Sequence, residues 1–234
     1  MEFKTTIDWQ ERHKLLKVNF PVNIHNHEAV HEIQFGHIQR PNHRSRPFDA
    51  DRFEVANQKW TALTQGNQGC AVLNDCKYGV NVLGNSINLT LLKSAMAPDM
   101  HADLGTQEFI YAFYAWTGSF DDSDLIREGY ELNCPVMSAP GDSGTATLFS
   151  VDAANVVVET VKPAGDGSGD IVVRLYEAKR MTVQTVLLTS LTVASSVLTD
   201  MLENPIADVV PVLDGEIPIS FTPFEVKTIR LHLT

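Results

Sequence analysis

VNVLGNSINLTLL, residues 80–92, decides the fold class. Apolar residues alternate through Val80–Leu83 and again through Ser86–Leu92, the period of a strand with one buried face. Gly84-Asn85 between them suits a two-residue hairpin turn, because such turns need backbone conformations that Gly and Asn adopt cheaply. A strand–turn–strand unit of this kind builds antiparallel sheet. Working outward, Gly69–Asn74 reads as a short apolar strand. Leu15–Val22 reads as another, with a proline near its end. Val30–Ile38 reads as a third, placing Val30, Glu32 and Gln34 on one face and His31, Ile33 and Phe35 on the other. Downstream, Glu108–Trp116 is a strand rich in aromatics.

Two long polar segments interrupt this pattern. Gln39–Arg52 holds two prolines and cannot be a regular strand. Lys93–Gln107 is irregular throughout. Long ordered loops in compact domains often carry function. Asp121–Leu132 is the one helical pattern in this half, with acidic residues at its start that complement the helix dipole. Around Pro140–Gly144 the composition shifts to Pro, Gly, Ser and Asp, which marks a domain boundary. Beyond it, Asn155–Lys162 and Asp170–Tyr176 flank GDGSG as a hairpin. Met181–Val193 alternates, with Val183, Leu187, Leu191 and Val193 on one side. Asp214-Gly215 turns the chain into Ile217–Phe221, and Glu225–Leu233 follows. Short strands at this spacing predict an antiparallel, all-β sandwich architecture.

The 234 residues suffice for a large core or two smaller ones, and a net charge of −11 argues against nucleic acid or an anionic membrane as partner. No apolar run is long enough to span a bilayer. The first residues lack an apolar signal core, which points to a cytoplasmic protein. Cys70, Cys76 and Cys134 are too few and too scattered for a disulfide framework, so half-buried reduced thiols are expected. Asn88-Leu89-Thr90 matches a glycosylation sequon inside a predicted strand.

Candidate chemistry is sparse. His25 and His27 would share a strand face and could reach one ion, with His31 at the same parity, but no clear fourth ligand completes a site. The plainer reading is exposed strand histidines. Asp99, Asp103 and Glu108 crowd one loop, and a glycosidase needs paired carboxylates. A solvated acidic loop is the plainer reading of them. No G-x-S-x-G elbow, phosphate-cradling glycine loop or H-E-x-x-H helix is present.

Longer strings carry a resemblance. EIQFGHIQRPNHR, FEVANQKW, CAVLNDCKYGVNVLGNSINLTLLKSAMAPD and HADLGTQEFIYAFY resemble the C-terminal region of family 38 glycoside hydrolases. These are metal-dependent, retaining α-mannosidases, and the likeness is to the cytosolic, vacuolar and bacterial branch. DWQERHKLLKVNFPV and VVVETVKPAGDGSGDIVVRLYEA match in order at either end. The resemblance implies a galactose-mutarotase-like super-sandwich portion over residues 1–145 and a small terminal β-sandwich over 146–234. It also implies that the nucleophile and the ligands of a divalent metal, zinc or cobalt, lie in an N-terminal catalytic α/β domain followed by a helical bundle. The chain is then expected to be a fragment without catalytic or metal-binding residues of its own.

The family's loops from this region approach the α-mannoside cleft. Lys93, Asp99 and Asp103 are therefore expected at its rim, with Asp75, Lys77 and Tyr78 as further candidates. Many relatives carry Arg where this chain has Lys93, which keeps charge but loses the bidentate fork. Some branches carry Arg at Leu104. Two other readings stand beside this one. A free-standing carbohydrate-binding β-sandwich would use Trp60, Tyr114 and Trp116 as a platform. An interface piece would expose an apolar seam over residues 1–17 and form a homo-oligomer.

Overall fold

The computed structural model describes residues 1–141 and 144–234 and divides into two compact units, Met1–Ser138 and Ala139–Thr234. The first unit runs β1 (Glu2–Trp9), β2 (Leu16–Pro21), β3 (Glu28–Ile33), β4 (Gly36–Pro41), a 3-10 turn (Pro47–Arg52), β5 (Val55–Ala56), β6 (Trp60–Gln65), β7 (Gln68–Asn74), β8 (Gly79–Leu83), β9 (Ser86–Leu92), β10 (Gly105–Thr117) and α1 (Leu125–Asn133). Two antiparallel sheets result, one ordered β1-β10-β7-β6-β3-β4 and one ordered β2-β9-β8-β5.

The sheets pack through Ala29, Leu63, Val72 and Phe109 of the first and Val80, Ile87 and Leu89 of the second. The first sheet has a second core on its other face, where Val30, Trp60, Ala62 and Leu73 meet Leu125 of α1. Its central strands are therefore buried on both sides. That is why β6 and β7 lack the alternation that marks β8 and β9, and why β6 gives no period-2 signal.

The predicted strand Val30–Ile38 is two strands with a tight turn between them, Phe35 taking a positive φ of 55°. His31 and Glu32 are both buried there because both faces of β3 are covered: Val30 and Glu32 lie toward α1, and His31 lies on the opposite face. Residues 39–41, assigned to the long loop, belong to β4. The rest of that loop coils around Asp49, whose carboxylate accepts the amides of Ser45 and Arg46. The unpredicted strand β1 forms an edge of the larger sheet, with Glu2, Lys4, Thr6 and Asp8 on its exposed side. Charges on an edge strand discourage further pairing.

The second unit contains β11 (Phe149–Val151), β12 (Val156–Pro163), β13 (Ile171–Glu177), β14 (Val183–Thr189), β15 (Val193–Thr199), β16 (Pro205–Val210), β17 (Glu216–Phe221) and β18 (Val226–Leu233). A sheet ordered β11-β14-β17 faces one ordered β12-β13-β18-β15-β16. Val173, Leu175, Ile229 and Leu231 pack against Leu187, Ile217, Ile219 and Phe221. The single strand expected over Met181–Val193 is instead β14 and the start of β15, which lie in different sheets. The GDGSG turn is held by Arg230, which donates to Asp166, Ser168 and Asp170.

Cys70 is buried, whereas Cys76 and Cys134 are exposed, and all three are free thiols. Asn88 is only 8% exposed, and its amide donates to the Asn81 and Ser86 carbonyls. The sequon is closed to modification in the folded chain.

Candidate functional site

Asp75–Tyr78 is the connection by which the chain passes from β7 in one sheet to β8 in the other. Asn74 fixes it. Its fully buried amide donates to Asn57 Oδ1 at 3.0 Å and to the Gln58 carbonyl at 2.9 Å, while its Oδ1 accepts the Lys77 amide at 2.7 Å. Asn74, the last residue of β7, thereby anchors the turn. Asp75 extends the strand pairing onto β10: its amide donates to the Ile110 carbonyl and its Oδ2 accepts the Ile110 amide at 3.0 Å. Its Oδ1 is buried without a hydrogen-bond partner among the described residues. Lys77 lays its ammonium over the Phe109 ring, 4.3 Å from the centroid, a cation–π contact. Tyr78 is exposed, with its carbonyl held by Asn57.

Lys93–Asp103 joins β9 to β10 and is closed by one carboxylate. Asp103 Oδ2 accepts the amides of Lys93 at 2.7 Å and Ser94 at 2.9 Å. Burial raises the Asp103 carboxyl, but those amides and the charge of Lys77 outweigh it and hold it below the usual carboxylate range. Ser94 is buried and is pinned from β1 and its following turn: Trp9 Nε1 donates to its Oγ, and the His13 amide donates to its carbonyl at 3.1 Å. Asp99 lies on the exposed part of the loop, accepting the His101 amide at 2.8 Å.

The structure thus seats the Lys93 backbone on Asp103 and places Lys77 where its charge helps lower the Asp103 carboxyl. Asp99 and Tyr78 lie outside this cluster, and Asp75 serves the strand pairing. Trp9, Ser94 and Phe109 complete the arrangement and were missed. Only Trp9, a lone aromatic in a polar stretch, gave a signal in the sequence. A charge-assisted hydrogen bond contributes about 1.5–3 kcal/mol. Asp103→Ala is therefore expected to speed amide exchange at Lys93 and Ser94 by tenfold or more, read by NMR. Because the folded pKa is depressed, Asp103 holds the loop fully above the ordinary value of 3.8 and releases it as pH falls through the lowered value. Unchanged exchange in the variant would show that Trp9 and His13 alone close the loop.

The histidines do not share one strand face. His25 and His27 lie in the β2–β3 connection, not on a strand, with rings 5.2 Å apart. His31 is buried on β3, its Nδ1 3.1 Å from Thr61 Oγ1, and burial followed by the charge of Arg40 lowers its pKa to about 3. Among the described residues, no three His, Cys, Asp or Glu side chains are placed to hold a metal. The aromatic platform is also displaced inward: Trp60 is 1% exposed, and Tyr114 and Trp116 are half-buried against the second core. No helix among the described residues is long and apolar enough to cross a membrane.

Comparisons with known proteins agree with the folds of both units. Residues 1–101 match the glycosyl hydrolases family 38 C-terminal domain, and residues 155–229 match the glycosyl hydrolases family 38 C-terminal beta sandwich domain. Alpha-mannosidase 2C1 of Homo sapiens is 41% identical over 100% of this chain and 23% of its own length. Alpha-mannosidase of Saccharomyces cerevisiae is 35% identical over 99% of the chain and 24% of its own length. The crystal structure of an alpha-mannosidase from Enterococcus faecalis superposes on 98% of the chain and 27% of that protein, with a TM-score of 0.79 at 19% identity. The chain spans about a quarter of the length of the curated relatives it matches. It belongs to glycoside hydrolase family 38, and the part of that family it carries is the C-terminal β-region.

Proposed function

We propose that this chain is the noncatalytic C-terminal part of a retaining, metal-dependent α-mannosidase acting in the cytoplasm on terminal α-D-mannosides. On this reading residues 1–145 supply the super-sandwich portion and residues 146–234 the small terminal β-sandwich. Both scaffold an N-terminal catalytic α/β domain and helical bundle. The observation that carries the proposal is the match of both units to family 38 C-terminal domains, over residues 1–101 and 155–229. Within the first unit, Asp103 fixes the Lys93–Asp103 loop through the Lys93 and Ser94 amides, which gives a charged edge suited to the rim of a sugar cleft, with Lys93 exposed on it.

A zinc or cobalt ion would polarise the substrate in the complete enzyme. The residues here do not fit such an ion, since no three ligands converge among those described. On this reading the metal and the nucleophile belong to the catalytic domain. The purified 234-residue chain is expected to show no turnover of an aryl α-mannoside with zinc or cobalt added. Measurable, metal-dependent release of the aryl alcohol would overturn the noncatalytic assignment.

A further inference from the structure

The end of the first unit opposite the Lys93–Asp103 loop holds a cavity of about 500 Å³. It forms where the β2–β3 connection, the end of β4, the β6–β7 hairpin and the β8–β9 hairpin come together. The β8–β9 turn and Lys93 flank opposite ends of β9, which separates cavity and rim by roughly 25 Å at ~3.4 Å per residue. Loops gathered at one end of a β-sandwich are a common place for recognition.

The floor of this cavity is built, not incidental. Asn42 is 3% exposed and ties three of the loops together. Its side-chain amide donates to the carbonyls of Asn26 at 2.9 Å and Gly84 at 2.7 Å, its backbone amide donates to the His27 carbonyl, and its carbonyl accepts the Gly84 amide. Asn85 donates to the Val22 carbonyl, and Gln65 Oε1 accepts the His25 amide. A wall fixed in advance lowers the ordering cost of binding.

With the backbone satisfied in this way, several side chains remain uncommitted. Among the described residues, the exposed side chains of Asn23, His25, His27 and Gln68 line the cavity, and no hydrogen bond within the chain holds their polar ends. None of the described lining residues is Asp, Glu, Lys or Arg, and Ile24 is the one large apolar side chain there. Such a lining does not select an anion, a cation or an apolar ligand. Amides and neutral imidazoles each present both a donor and an acceptor, as a sugar hydroxyl does. The volume lies within the ~300–1,000 Å³ typical of small-ligand sites.

We propose that this cavity binds a neutral carbohydrate, a terminal hexose or short oligosaccharide, at a site separate from the cleft rim. The proposal does not depend on the rim assignment. Its test is a ¹⁵N NMR titration of the 234-residue protein with methyl α-mannoside, methyl α-glucoside and a mannobiose, with inorganic phosphate and Zn²⁺ as controls. Saturable shifts are expected from at least one sugar at residues 23–27, 42–43, 65–68 and 84–85, with residues 93–103 unmoved. His27→Ala and Gln68→Ala should each weaken binding about 3- to 10-fold, the effect of one or two lost hydrogen bonds, while leaving the rest of the spectrum in place. Flat titrations with all three sugars would overturn the proposal. So would shifts confined to residues 93–103, or saturation by phosphate or Zn²⁺ alone.

Discussion

Trp60→Ala is expected to destabilise the first unit by about 3–5 kcal/mol, the range for removing a buried large aromatic side chain. Trp60 begins β6 on the face opposite the sandwich core, and α1 rests on it. The fit is close enough that a Cβ added at Gly129 of α1 would stand 2.9 Å from Trp60 Cδ1. Phe120 packs at 5.7 Å between ring centroids. Alanine leaves a void under the helix that rigid strands cannot fill. The consequence reaches the candidate site, because Asn133 at the end of α1 donates to the carbonyl of Asn74, the residue that fixes the Asp75–Tyr78 turn. Urea denaturation followed by tryptophan-independent far-UV dichroism should show the loss. Hydrogen exchange should place it in residues 1–138 and spare residues 139–234. A variant whose midpoint does not move would mean that α1 is held by its flanks alone.

How much of this was legible in the sequence follows the number of buried faces. Strands with one buried face announce themselves by alternation, and β17 runs exposed–buried without exception. The hairpin at Gly84-Asn85 was readable for the same local reason. Strands β6 and β7 lie between two cores, where alternation vanishes, so β6 went unread. The break at residues 34 and 35 was hidden because Ile33 and Phe35 carry the alternation through it, and Phe35 is not a turn residue by type. The edge strand β1 was masked by its own protection, since its outward charges make it read as polar.

The candidate site was legible only in outline. The sequence pointed to Lys93, Asp103 and Lys77 through resemblance. It could not show that Asp103 turns inward to accept backbone amides while Asp99 stays in solvent, because that depends on which of two nearby carboxylates meets the end of β9. Nor could it show that Trp9, more than eighty residues from Ser94, closes the same loop. The carbohydrate platform failed for a physical reason: aromatics on a strand between two cores are more useful as packing than as surface. The uncommitted polar side chains lie at the other end of the sandwich, in loops too short to stand out.

Lys59→Met breaks the ion pair with the buried carboxylate of Glu32 and is expected to cost about 3 kcal/mol at neutral pH, the lower end of what breaking a buried pair costs. Glu32 keeps 6% of its side-chain surface and meets Lys59 Nζ at 2.7 Å, and Lys59 also covers the Tyr130 ring of α1 at 4.4 Å. Burial pushes the Glu32 carboxyl above its ordinary value against the pull of Lys59. Burial disfavours the Lys59 ammonium too, yet Glu32 holds its pKa above the usual lysine value. With methionine at 59 only the backbone amide of that residue still opposes burial, and the Glu32 carboxyl rises further. A carboxyl whose folded pKa lies above its unfolded one favours the fold at low pH and loses that contribution as pH rises through the folded value. The gap between variant and parent should therefore be small below about pH 4.5, the ordinary glutamate value, and widen toward neutrality. Adding Glu32→Gln to Lys59→Met removes the stranded charge, so the double variant should be more stable than the single one at neutral pH. Denaturant midpoints for parent, single and double variants at acidic and neutral pH measure both effects. Equal loss in single and double variants, flat with pH, would assign the cost to the lost contact with Tyr130 and not to a buried carboxylate.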